Sequence, residues 1–121
     1  MQPEERDAAY LWDILDSAET ILKFTSGSNY NSYLKDRKLQ LAVERCIEII
    51  GEAAKNISET FKKEHPEIPW RLMIAQRNVI AHEYGEIKQE RMWALVETRV
   101  PELIELINPL LPPLPPEMKE E

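Results

Sequence analysis

The stretch Leu39-Gln40-Leu41-Ala42-Val43-Glu44-Arg45-Cys46-Ile47-Glu48-Ile49-Ile50-Gly51-Glu52-Ala53-Ala54-Lys55-Asn56-Ile57 decides the fold. Leu39, Val43, Cys46, Ile50, Ala53 and Ile57 recur in steps of four and three, a seam that suits packing along another long helix. Ala42, Ile49 and Ala54 widen the stripe. The spacing predicts one helix over about 32–63, long enough to run the whole length of a small bundle. Leu41 and Ile47 lie off the seam, and this second apolar side points to a dimer.

Working outward, Leu11, Ile14, Leu15, Ala18, Ile21, Leu22 and Thr25 mark one buried face of a helix over about 4–24. Thr25-Ser26-Gly27-Ser28-Asn29 ends it, because these residues break helices and cap the next one. Downstream, His65-Pro66-Glu67-Ile68-Pro69 is a break, with Pro69 placed to open a short helix over about 70–82. Gly85 is expected to stop that helix in a left-handed conformation. A further helix begins near Ile87 and carries Met92, Val96, Val100, Leu103, Ile107 and Leu110 on one face. Pro101 should kink it or split it in two. Residues 112–121 hold four of the nine prolines and read as a proline-rich, acidic tail, extended or disordered. The expected architecture is all-α: an antiparallel up-and-down bundle of four to five helices over 1–111, homodimeric, followed by the tail.

The bulk composition bounds what such a bundle can do. A chain of 121 residues with 43% hydrophobic and 31% charged residues has room for one core. Its net charge of −7 argues against a wide, sequence-independent grip on nucleic acid, which needs a basic face. It leaves room for a small local RNA site and suggests a basic partner protein. The single cysteine, Cys46, lies inside an apolar pattern and reads as a buried thiol without a basic partner. No apolar run reaches membrane-spanning length. The first residues show no apolar core of a signal peptide, so a cytoplasmic protein is expected.

Chemistry concentrates in Arg77-Asn78-Val79-Ile80-Ala81-His82-Glu83-Tyr84-Gly85. Asn78 and His82 are four apart and share a helix face. Arg77 and Tyr84, seven apart, nearly share another. Arg77 and His82 are separated by roughly 140° around an ideal helix, a gap that a long arginine can cover if the helix loosens at its end. Such a cluster suits cleavage of a phosphodiester by the RNA's own 2′-hydroxyl. His82 would move a proton near neutral pH. Arg77 would donate hydrogen bonds to phosphate oxygens as charge develops, and Asn78 would orient the imidazole or a phosphate. No Asp, Glu and His set with evident metal-ligand spacing accompanies them, so a metal-free reaction without cofactor is expected. The same residues also suit a plain helix end, with Arg77 paired to a carboxylate, His82 near the C-terminal dipole and Tyr84 half-packed.

The spacing of Arg77, His82 and Tyr84 resembles the Arg-x4-His-x-Tyr signature of HepT-like proteins of the HEPN superfamily. Asn78 after the arginine, Gly51-Glu52-Ala53-Ala54, Ile68-Pro69-Trp70-Arg71, Trp93 and Val100-Pro101 extend the likeness from about Arg6 to Leu111. The resemblance implies a homodimer with its two signature segments near the twofold axis. It implies Arg77 and His82 as catalytic residues of a metal-independent endoribonuclease acting on transfer or messenger RNA. It also implies Tyr84 as the residue to which a small nucleotidyltransferase antitoxin (MntA-like) transfers AMP, silencing a toxin.

Arg45, Glu48 and Glu52 share one face of the long helix. Glu52 and Arg45 either brace the cleft or form a solvated ion-pair stripe, the reading preferred for Glu48. Trp70 and Trp93 read as core or interface anchors, and His65 as exposed. Two other functions remain open from sequence: a catalytically inactive module that docks a nucleotidyltransferase or binds nucleotides, and a purely structural helical dimer.

Overall fold

The computed structural model describes residues 4–112, and these contain helices and turns without a β-strand. Helix α1 spans Glu5–Thr25, as its periodicity requires, and buries Leu11, Ile14, Leu15, Ala18 and Ile21. Gly27, with φ of +82°, turns the chain in the left-handed region that glycine tolerates without cost.

The single helix expected over 32–63 is three: α2 (Tyr30–Leu34), α3 (Arg37–Asn56) and α4 (Glu59–Glu64). Side-chain caps made the divisions. Asp36 accepts a hydrogen bond from the Leu39 N–H and starts α3. Ser58 accepts from the Phe61 N–H and starts α4, with Ile57 extended between them. Short polar residues of this kind compete with the helical ladder and win at its ends. The seam itself is real: Val43, Cys46, Ile50, Ala53 and Ile57 are all buried. Ile47 is buried as well, inside the same molecule, whereas Leu41 stays exposed.

Helix α5 covers Trp70–His82, with Pro69 as its N-cap rather than inside its first turn. Gly85 does not stop it. The helix ends at Glu83, whose N–H reaches the Val79 carbonyl, and Gly85 sits in a 3₁₀ turn over Tyr84–Glu86 without a positive φ. The last helical run consists of α6 (Gln89–Ala94), a π segment (Leu95–Arg99) and α7 (Val100–Ile107). Pro101 falls in the first turn of α7, just after the π segment, and the helical run continues through it. The Val100 N–H bonds to the Leu95 carbonyl five residues back, widening the turn just before the proline, which has no N–H to give.

Helix α3 lies at the centre, packed by α1 on one side and α5 on the other, while α7 returns along α1. The antiparallel course of α1 and α3 is fixed at one end by Asp7. Its carboxylate accepts from the Ser58 N–H at 2.9 Å and from the Ser58 hydroxyl at 2.7 Å, tying the start of α1 to the end of α3. At the other end, the Tyr33 hydroxyl donates to Gln89 Oε1 at 2.6 Å, and Gln89 Nε2 donates to the buried Glu44 at 2.7 Å. Arg37 completes this chain at 3.5 Å from Glu44. Tyr33 packs on Trp93 with ring centroids 5.0 Å apart. Trp70 and Trp93 are thus core residues. His65 is half-buried rather than exposed, stacked against Phe61. The tail expected over 112–121 lies outside the described residues, apart from Pro112.

Candidate active site

Gly51 lies in mid-helix, where it costs about 1 kcal/mol relative to alanine. The reason is contact. A Cβ on Gly51 would overlap Arg77 Cβ and lie 2.5 Å from the Met73 carbonyl oxygen. Helix α5 therefore rests directly on the backbone of α3 at this point. The contact fixes the stem of Arg77 and aims its guanidinium along α3 toward the next residue, Glu52.

Arg77 Nη2 lies 2.8 Å from Glu52 Oε1, and Arg77 Nη1 donates to Asn78 Oδ1 at 3.1 Å. The pair is unequal: the Arg77 side chain is 19% exposed and the Glu52 side chain 51%. Arg77 Nε is enclosed and has no hydrogen-bond partner among the described residues. Leaving such a donor unpaired costs about 1–3 kcal/mol, so the fold holds this arginine in place against a local penalty.

Of the residues singled out in the sequence, the structure brings Arg77, Asn78 and Glu52 together. His82 does not join them by a direct hydrogen bond. It is the last residue of α5 and is exposed, on the side of the helix turned from the Arg77–Glu52 pair. Tyr84 follows in the 3₁₀ turn and is 76% exposed. Arg45 pairs with Glu48 at 3.3 Å and not with the signature segment. It does share with Glu52, Tyr10 and Asp13 the walls of a pocket of about 190 Å³ beside the Arg77–Glu52 pair. Burial, reinforced by the Asp16 carboxylate, raises the Asp13 carboxyl above its ordinary value. Burial likewise raises the Cys46 thiol, with Asp16 adding and Arg45 partly opposing, which disfavours the thiolate at this packed core position.

Sequence reasoning noted Gly51 only as part of a resemblance and missed its contact with Arg77. The signal was present, since a glycine inside an otherwise strong helix marks a close approach. Among the described residues no group of three His, Cys, Asp or Glu side chains is placed to hold a metal ion. The donor set that the segment offers is one anchored guanidinium, one amide, one exposed imidazole and one exposed phenol.

A family model described as ribonuclease HepT-like matches residues 14–110. A Methanocaldococcus jannaschii protein named "Putative RNase MJ0127" is 38% identical over 109 residues, 90% of each chain. A Thermococcus cleftensis protein named "Probable ribonuclease HepT" is 44% identical over 94 residues, 78% of this chain and 86% of the other. No solved structure matches.

Proposed function

Because this chain belongs to the HepT-like ribonuclease family, we propose that it is an endoribonuclease, the toxin of a toxin–antitoxin pair, with Arg77 and His82 as its catalytic residues. The observation that carries the reading is the seating of Arg77 against Gly51, which anchors a permanent cation on the same short helix that ends in the exposed His82.

In this reaction the RNA 2′-oxygen attacks the adjacent phosphorus as its proton leaves. The bond from phosphorus to the 5′-oxygen breaks, and that oxygen takes up a proton. The products are a 2′,3′-cyclic phosphate and a 5′-hydroxyl. His82 moves one of these protons near neutral pH. Arg77 faces the phosphoryl oxygens, where its fixed donors stabilise the developing charge. Asn78 and Glu52 hold the guanidinium, and Arg45 lines the neighbouring pocket. These groups need no metal ion for the chemistry.

The same reading makes the protein a cytoplasmic homodimer of a domain over 1–111 with a tail over 112–121. Its partner is a minimal nucleotidyltransferase antitoxin that transfers AMP to Tyr84, and its substrate is transfer or messenger RNA. The exposure of Tyr84 supports this. An AMP attached two residues from His82 adds bulk and negative charge where an RNA phosphate must sit.

The test is expression of the wild-type chain, Arg77→Ala and His82→Ala at matched soluble levels, with RNA integrity and growth as readouts. Growth arrest and RNA fragments that end in cyclic phosphate, from the wild type alone and in the presence of chelator, are expected. Equal growth of all three, with mass spectrometry showing Tyr84 unmodified, would overturn the reading in favour of an inactive nucleotidyltransferase-docking module.

A further inference from the structure

An acidic chain that acts on RNA must grip its substrate locally, and the structure offers a place. Helix α5 has one exposed stripe. Arg71, Ala75, Asn78 and His82 follow each other in steps of four, three and four, and all four are exposed. That spacing puts them on a single helix face. His82 stands at one end of the stripe and Arg71 at the other.

At the Arg71 end the stripe runs into a concavity of about 730 Å³ between α4 and the start of α5. Lys62, Lys63 and Arg71 line it, with Glu59 the acidic member of its wall. Lys62 is engaged, lying 3.5 Å from Glu59 and 3.5 Å from the Lys55 carbonyl oxygen. Glu67, on the same connection, lies 3.3 Å from His65 Nδ1. Lys63 and Arg71 are exposed and form no ion pair among the described residues. Both side chains line the same concavity, on a chain that carries a net −7.

We propose that Lys63 and Arg71 form a subsite for the phosphates that flank the cleavage point, with the RNA strand laid along the α5 stripe from Arg71 past Ala75 to His82. This rests on the ribonuclease reading and adds the track by which substrate reaches it. The rise from Arg71 to His82 is about 16 Å on an α-helix, which spans several nucleotides of a strand. The small side chain of Ala75 leaves the middle of the track low, while cations at one end and the imidazole at the other set its limits. Positive charge without local partners fits a polyanion's phosphates better than an apolar ligand, and an open stripe fits a strand better than an isolated nucleotide.

The experiment measures binding of a fluorescein-labelled, short single-stranded RNA to the full chain by fluorescence anisotropy across a salt series. His82→Ala is the parent throughout, so that cleavage does not consume the labelled RNA and every comparison is made against the same background. Adding Lys63→Ala and Arg71→Ala together is expected to weaken binding about tenfold at low salt. The slope of log affinity against log salt should become shallower by about 1.4, two contacts at about 0.7 each for a single strand. Lys63→Arg with Arg71→Lys should restore both, which separates charge from folding. Unchanged affinity and slope in the double alanine variant would overturn the proposal, as would failure of the parent to bind RNA. So would loss of binding to the partner nucleotidyltransferase with RNA binding intact, which would assign the patch to protein docking. Failure of the ribonuclease reading has a different signature: the wild type leaves RNA whole while the parent still binds it through Lys63 and Arg71.

Discussion

Gly51 of α3 and Arg77 of α5 touch through the place where a side chain would be, so a close approach of the two helices is also the mounting of the candidate catalytic arginine. Gly51→Ala tests this coupling, because its two effects have opposite signs. On propensity alone the substitution would stabilise a helix interior by about 0.5–1 kcal/mol. The added methyl instead collides with Arg77 Cβ and the Met73 backbone, neither of which is the end of a flexible chain. Overpacking of this kind costs about 1–3 kcal/mol, so a net fall in melting temperature by calorimetry is expected, with loss of RNA cleavage at temperatures where the variant is still folded. A melting temperature at or above that of the wild type would show that α5 can move aside cheaply.

The Arg77–Glu52 pair should matter more to activity than to stability. Glu52 is half-exposed and screened by water, which limits such a pair to about 1 kcal/mol or less. Its carboxylate nevertheless aims the guanidinium through Nη2, while Nε has no hydrogen-bond partner among the described residues. Glu52→Ala should lower kcat about tenfold through misplacement of that group, with little change in KM or in denaturation midpoint. Glu52→Gln retains an oxygen at the same place and should fall between the two. Wild-type kcat in Glu52→Ala would remove Glu52 from the site.

The bundle was legible from the sequence because burial imposes a period: the faces built on Leu11, Val43 and Met92 are the faces that pack. Helix ends were harder. Asp36 and Ser58 cut the long helix through single side-chain hydrogen bonds, and neither residue disturbs the apolar period around it. Gly85 misled for the converse reason, since a glycine permits a left-handed stop without enforcing one. The signature segment was visible as residue types in order. The pairing of Arg77 with Glu52, twenty-five positions away, was not, because it depends on how closely two helices approach at Gly51. The Arg71 stripe was written in the spacing but acquired meaning only beside the cavity under α4.

Asp7 ties the N-terminal turn of α1 to the cap of α4. It is buried, and both of its oxygens accept from Ser58. Asp7→Ala leaves the Ser58 N–H without a partner at a part-buried position, at a cost of about 1–3 kcal/mol. The cut should appear as a lower urea midpoint with an unchanged m-value, and as faster amide exchange in α4 than in α5. Uniform exchange in both helices would show that the clasp does not set the local stability of α4.

Tyr33 makes stability depend on alkaline pH in a way one substitution isolates. Burial pushes its phenol well above the ordinary tyrosine value, with the Glu44 carboxylate adding to the shift and Arg37 partly opposing it. An unfolded tyrosine loses its proton near pH 10, while the folded phenol keeps its own and continues to donate to Gln89. A raised folded value means that the stabilisation is fully present below about pH 10 and drains away as pH rises from there toward the folded value. Tyr33→Phe lacks both the hydrogen bond and the titration. At pH 8 it should be less stable than the wild type by about 1–2 kcal/mol, since Gln89 Oε1 loses its donor. Between about pH 10 and 11 the gap between the two melting temperatures should narrow, because only the wild type gives up stability to this group. Melting curves at half-unit pH steps decide the matter: a gap that stays constant through pH 11 would mean that the Tyr33 proton is held no more tightly in the fold than in the open chain.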